Sequence, residues 1–259
     1  MAPLCARPLA GLPELSPGDD LAGLIAGAVR EAGEPLRDGL LLVVAHKAVS
    51  KCDGALVALD GVVPSERARR LAAEAEAATG EPRDARAVQV VLDESSEVLR
   101  AERGVLICRT RHGFVCANAG VDASNATDDR TLVLLPRDPD RSARALRARL
   151  FELTGARVGV LIADSFGRAW RHGQVDVAIG LAGMRPLDDW RGRSDARGME
   201  LRATWLAVAD AAAAVGELVR AKDSAEPVVL VEGLERFLGE DDGPGARALL
   251  RPLDEDLFR

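Results

Sequence analysis

The chain has 259 residues, 47% hydrophobic and 29% charged, which supplies a sizeable core and excludes a natively disordered polypeptide. Its 41 acidic and 34 basic side chains leave a formal charge of −7, which argues against binding nucleic acid through bulk positive charge. Residues 1–15 are broken by Arg7 and three prolines, unlike a secretory leader. The apolar runs Leu40 to Ala45 and Val158 to Ala163 are too short to span a bilayer, so a cytoplasmic protein is expected, with no nucleic-acid or membrane partner.

In chain order, Leu21, Leu24, Ile25 and Val29 follow helical spacing behind Asp19 and Asp20, and Gly33 is a plausible stop. Asp38-Gly39 reads as a turn before Leu40 to Ala45, an apolar run suited to a strand buried on both faces. A helix is expected from Ser65 to about Thr79. Strands are expected at Val88 to Leu92, Gly104 to Arg109 and Thr131 to Leu135. Asp140 suits the cap of a helix carrying Leu146, Leu150 and Leu153. Val158 to Ala163 reads as another buried strand, ending in the polar segment Asp164 to Arg168. Glu200 to Lys222 reads as the longest helix, and Pro227 to Val231 as a strand. Neither a fixed repeat nor a long linker divides the chain, and residues 1–259 are read as one domain with at most two lobes.

Cys5, Cys52, Cys108 and Cys116 lack Cys-x-x-Cys spacing, and His46, His112 and His172 are scattered, so zinc ligation is not indicated. Oxygen ligands remain, and they suit Mg2+ or Mn2+. Three segments place small and acidic residues at expected strand ends: Ser50 to Gly54, Gly120 to Asn125 and Asp164 to Arg168. Asp122, Asp164 and Ser165 would suffice for a cation whose other ligands are phosphate oxygens. Taken singly, each aspartate also suits a helix cap or turn, and Lys51 a solvated surface. Arg168 and Arg171 flank Trp170, a cluster suited either to clamping an anion or to exposed cation–π stacking. No Gly-x4-Gly-Lys-Ser/Thr loop and no strand-linked Gly-x-Gly-x-x-Gly occurs, which disfavours P-loop and Rossmann folds.

As an ordered set the motifs resemble the coenzyme F420-0:L-glutamate ligase family, also called F420 gamma-glutamyl ligases. They run from Gly11-Leu12-Pro13-Glu14-Leu15 and Pro17-Gly18-Asp19-Asp20 through Val49-Ser50-Lys51 and Pro64-Ser65 to Asn118-Ala119-Gly120-Val121-Asp122-Ala123-Ser124-Asn125. Asp164-Ser165-Phe166-Gly167-Arg168, Val177-Ala178-Ile179-Gly180, Arg191-Gly192, Asp195 and Ala209-Asp210 follow in order. The resemblance implies a mixed α/β fold of two interlocked lobes, a homodimer, and a GTP-dependent ligase. GTP would phosphorylate the carboxylate of the deazaflavin precursor, and the amine of L-glutamate would attack the acyl phosphate, with further γ-glutamyl additions open. By the same resemblance Asp122 and Asp164 hold one divalent cation and Ser165 helps hold a second. Leu12, Pro13, Glu14, Leu15, His46, Lys47, Lys51, Asn125, Ala221, Lys222 and Asp223 meet the nucleotide. Lys51 and Arg168 would assist phosphoryl transfer beside Asp122 and Asp164.

The pattern departs from the family at Cys52-Asp53, where a small residue and a glutamate are usual, at Ala211, and around Ala221-Lys222-Asp223, which lacks frequent glycines. These departures leave open a ligase for another acid or amine, and a nucleotide-binding regulatory protein with weakened catalysis.

Overall fold

The computed structural model describes residues 3–123, 130–221 and 223–256. Strand β1 (Cys5–Pro8) leads by an extended segment to helix α1 (Leu21–Glu31). That helix starts where the Asp20 carboxylate accepts from the Gly23 amide at 3.0 Å. Strand β2 (Leu41–Ala45) runs without a break into the short helix α2 (His46–Cys52). After β3 (Leu56–Ala58), Ser65 caps α3 (Glu66–Thr79), and Asp84 caps α4 (Ala85–Asp93). Strands β4 (Ser95–Glu102), β5 (Val105–Thr110) and β6 (Val115–Ala117) form an antiparallel meander, and β7 (Thr131–Val133) returns to pair with β3.

Helix α5 (Pro139–Thr154) is followed by a long hairpin of β8 (Gly159–Arg168) and β9 (Arg171–Ala182). The pair β10 (Asp188–Asp189) and β11 (Trp205–Leu206) precedes α6 (Val208–Val219), and β12 (Val228–Glu232) closes the main sheet. That sheet has the order β1-β12-β2-β8-β9, with only β2 and β8 parallel. Its apolar runs are buried on both faces. Leu42, Val44, Val160 and Ile162 pack with Ile25 and Val29 of α1 and Leu146 and Leu150 of α5. Leu41, Val43, Leu161 and Val229 pack with Ala209, Ala212 and Ala213 of α6. Each such aliphatic side chain contributes about 1.5–3 kcal/mol on burial. A separate cluster joins α3 and α4 to the meander through Ala68, Ala72, Val88, Val91, Leu106 and Cys108. The molecule is thus a mixed α/β protein with several sheets.

The expected helices at 21–33 and 65–79 and the central strands form where their patterns placed them. Val88 to Leu92 is helical instead. Its β-branched content suits a strand, but Asp84 caps the segment, and Val88 and Val91, three apart, pack onto α3. Asp138, not Asp140, caps α5, accepting from the Arg141 amide at 3.0 Å. Asp140 accepts from the amides of Leu181 at 2.9 Å and Ala246 at 2.7 Å, tying the helix to β9 and the C-terminal segment. The helix expected over 200–222 is shorter, because Trp205 and Leu206 pair with Asp189 and Asp188 before α6 begins. Among the described residues no helix is long and apolar enough to cross a membrane.

Candidate active site

Parallel pairing of β2 with β8 sets the site. Ala45 lies opposite Ala163, so His46, at the carboxyl end of β2, comes out beside Asp164, midway along β8 where its pairing with β2 stops. The crevice outside such strand ends is where α/β sheets bind ligands. His46 Nε2 lies 3.2 Å from Asp164 Oδ1, and its Nδ1 lies 3.4 Å from the Ser50 hydroxyl one turn on. Both His46 and Ser50 are buried. Lys47 and Lys51 are four apart on α2 and so share one face. Lys47 Nζ meets Asp122 Oδ2 at 2.6 Å, and Lys51 pairs with Glu14.

Asp122 arrives by a tight turn. Asn118, Ala119 and Gly120 all have φ between 50° and 71°, an arrangement that costs about 1–3 kcal/mol for each non-glycine residue. A side chain at Gly120 would meet Leu135 within 2.9 Å. Beyond the turn, Asp122 exchanges both backbone hydrogen bonds with Val133, at 3.0 and 2.8 Å, which fixes it against β7.

These elements enclose a recess of about 400 Å³. It is lined by Pro13, Glu14, Leu15, His46, Lys47, Lys51, Asp122, Asp164, Ser165, Ala221 and Asp223, residues expected in the site from widely separated motifs. Leu12 packs against the core beside it. Arg168 is not part of the lining: it lies at the exposed tip of the β8-β9 hairpin, where its guanidinium donates to the His172 carbonyl at 2.9 Å. Strand β8 carries the polar segment 164–168 through to that tip, so only its first two residues reach the recess. Ser124, Asn125 and Lys222 lie outside the described residues.

The recess also holds residues that the motifs did not single out: Gln174, Asp176 and Arg220. Asp176 lies opposite Ser165 in the hairpin register and accepts from its hydroxyl at 2.5 Å. Arg220, just past α6, pairs with the other oxygen of Asp176. The one available sequence signal was the position of Asp176 directly before the Val177 to Gly180 motif.

Among the described residues no three His, Cys, Asp or Glu side chains cluster as a ready-made metal cage. Asp122, Asp164 and Ser165 are a sparse, all-oxygen donor set, which fits a hard divalent cation that takes its remaining ligands from phosphates and water. It does not fit a structural zinc site. Cys116, beneath this region, has its thiol pushed up to about 12 by burial, with the Asp164 charge adding to the effect.

A larger, open cleft of about 1660 Å³ lies on the other side of α2, lined by Asp19, Cys52, Asp53, Arg111 and Arg144 among others. It takes in Gly18 to Asp20, Val49 and Cys52 to Gly54 from the motifs, but none of the residues expected on the metal or the nucleotide, so the smaller recess is the site favoured by chemistry rather than by size.

The F420-0:gamma-glutamyl ligase family model matches residues 11–233. A coenzyme F420:L-glutamate ligase of Methanopyrus kandleri is 46% identical over 248 residues, 95% of this chain and 94% of that protein. Its counterpart in Methanothermobacter thermautotrophicus is 42% identical over 250 residues, 96% of each chain. That of Archaeoglobus fulgidus is 43% identical over 253 residues, 97% of this chain and 95% of the relative. With Asp122, Asp164, Ser165 and the two lysines gathered around one recess and the likeness running nearly end to end, the chain belongs to the F420-0:gamma-glutamyl ligase family.

Proposed function

We propose that this chain is a coenzyme F420:L-glutamate ligase that uses GTP and Mg2+ or Mn2+ to join L-glutamate to the carboxylate of the deazaflavin precursor. The observation that carries the reading is the convergence of separated motifs, from Pro13 to Asp223, on one recess that combines oxygen ligands with lysines. Asp122 and Asp164 would hold one divalent cation and Ser165 would help hold a second, and bound cations would neutralise charge on the phosphoryl group. Lys47 and Lys51 face the same recess and are positioned to meet phosphate oxygens. His46, held between Ser50 and Asp164, orients that carboxylate. Pro13, Glu14, Leu15, Ala221 and Asp223 form the surrounding wall expected to receive the nucleotide, with Asn125 and Lys222 as further contacts.

Transfer of the γ-phosphoryl group to the precursor carboxylate gives an acyl phosphate and GDP. Attack by the glutamate amine then forms the amide and releases phosphate. Both steps depend chiefly on positioning and charge stabilisation, which a lysine-lined, carboxylate-floored recess supplies. The main sheet with α1, α5 and α6, and the meander with α3 and α4, support the reading of two interlocked lobes within one domain; the homodimer is proposed from the family resemblance alone.

A regulatory protein with weakened catalysis is disfavoured by where the departures fall. Of the two that raise it, Asp53 accepts from the Ser142 hydroxyl at 2.7 Å and lines the larger cleft, and Ala211 lies on an exposed face of α6 outside the recess. The third departure, at Ala221 and Asp223, does line the recess and bears on nucleotide preference. Incubation with the deazaflavin precursor, L-glutamate, GTP and Mn2+ is expected to yield a glutamylated product and GDP, each requiring every component. Release of GDP with another acid or amine, and none with these, would redirect the substrate assignment. Nucleotide binding without any turnover would favour the regulatory reading.

A further inference from the structure

We infer that Asp176, clamped by Arg220, is a positioning residue that fixes the polarity of the Ser165 hydroxyl and so makes its oxygen available to a divalent cation. The inference rests on the ligase reading of the recess.

The Asp176 side chain is fully buried, an uncommon place for a carboxylate without a specific task. Three hydrogen bonds define its setting. Ser165 Oγ donates to Asp176 Oδ1 at 2.5 Å, Arg220 donates to Oδ2, and the Asp176 amide donates to Glu217 Oε2 at 2.8 Å. A serine hydroxyl has one proton and two lone pairs, and an ionised carboxylate can only accept. With its proton committed to Asp176, Ser165 turns lone pairs toward the recess, the polarity that a cation requires. The Ser165 amide meanwhile donates to Asp164 Oδ1 at 2.8 Å, so the neighbouring carboxylate is oriented by the same residue.

Arg220 adds a second link. Its Nη1 donates to the Pro227 carbonyl at 3.3 Å, so it braces the start and end of the loop carrying Ala221 and Asp223, which line the recess. Asp176 therefore joins the hydroxyl expected on the cation to the loop expected on the nucleotide. Replacing it with Asn keeps the volume but supplies an N–H that can donate to Ser165 Oγ, turning the serine proton outward. Partners of metal ligands at this remove typically alter metal affinity by about 10–100-fold.

The test measures Mn2+ binding by the resonance signal of the free ion, with and without GTP, alongside thermal melting and the metal dependence of GDP release. Asp176→Asn is expected to weaken Mn2+ binding by about 10-fold or more and to raise the metal concentration needed for half-maximal turnover. Because that variant leaves a buried guanidinium without its counter-charge, the doubly neutral Asp176→Asn/Arg220→Met protein is measured as well. It is expected to fold and still bind Mn2+ weakly. In a Ser165→Ala background, the Asp176→Asn change is expected to add no further loss, because its effect runs through that hydroxyl.

Wild-type Mn2+ affinity in the folded double variant, or full additivity with Ser165→Ala, overturns the inference. Asp164→Asn separates this failure from failure of the site itself. If Asp164→Asn loses Mn2+ while the Asp176 variants do not, only the positioning role falls; if neither loses it, the cation lies elsewhere and both readings fall.

Discussion

Individual side chains in this protein carry charges whose cost depends on where the fold puts them. Burial pushes the Asp210 carboxyl above its usual range, partly countered by the Ala178 amide donating to it at 3.0 Å. An acid whose folded pKa is raised binds its proton more tightly in the native state. Its stabilising effect is complete below the unfolded carboxylate value of about 3.9 and is lost as pH rises through the folded value. Asp210→Asn keeps an acceptor for Ala178 and removes the charge, so it is expected to raise the melting temperature at pH 7, with the gain fading near pH 3. A gain equal at both pH values, or a loss at pH 7, would contradict this. The thiols divide in the same way. Burial pushes Cys52 up to about 11 and Cys116 up to about 12, whereas Cys5 is exposed. An alkylating reagent at neutral pH is expected to label Cys5 well before the other two, as peptide mass mapping would show. Asp122 and Asp164 were legible in the sequence because short local motifs mark them. Asp176 and Arg220 were not, because their meeting depends on the β8-β9 register and on where α6 ends, and neither is a local property.

Among the elements, α2 determines how the molecule divides its surface. Its His46, Lys47, Ala48 and Lys51 line the smaller recess, and Val49 and Cys52 line the larger cleft. Its place follows from β2, whose unbroken apolar run was readable as a buried strand. The errors of pattern reading fall where tertiary packing chose between two local options. Val88 to Leu92 has strand composition but lies on α3 as a helix, and residues 200–207 continue a helical pattern that pairing with β10 interrupts. Close approach between elements makes a further prediction. A Cβ at Gly180 of β9 would lie 2.4 Å from the Pro139 carbonyl oxygen at the start of α5. Gly180→Ala is expected to destabilise the protein by about 1–3 kcal/mol, because both elements carry core side chains that resist separation. Urea denaturation checks this, and an unchanged midpoint would show that α5 shifts freely on the sheet.

At the scale of the whole molecule, a chain of net charge −7 lines its recess, among the described residues, with six acidic side chains and three basic ones, Lys47, Lys51 and Arg220. Asp122 is paired with Lys47, Glu14 with Lys51 and Asp176 with Arg220, and Asp164 lies against the His46 ring. A cation arriving alone would approach Lys47, and a triphosphate arriving alone would approach Asp122 and Asp164. Arriving together, each satisfies what the other repels. Mn2+ and GTP are therefore expected to strengthen each other's binding by the same factor, about 5–150-fold, in calorimetric titrations. Equal Mn2+ affinity with and without GTP would count against this coupling.

The central claim is that the recess between β2, β8 and the Asp122 turn, and not the larger cleft across α2, receives metal and nucleotide. The most direct measurement is a crystal structure with Mn2+ and GTP, recorded where manganese scatters anomalously. The account predicts anomalous peaks at coordination distance from Asp122 and Asp164, with the triphosphate beside Lys47 and Lys51. Peaks and nucleotide in the cleft lined by Arg111 and Arg144 would contradict it.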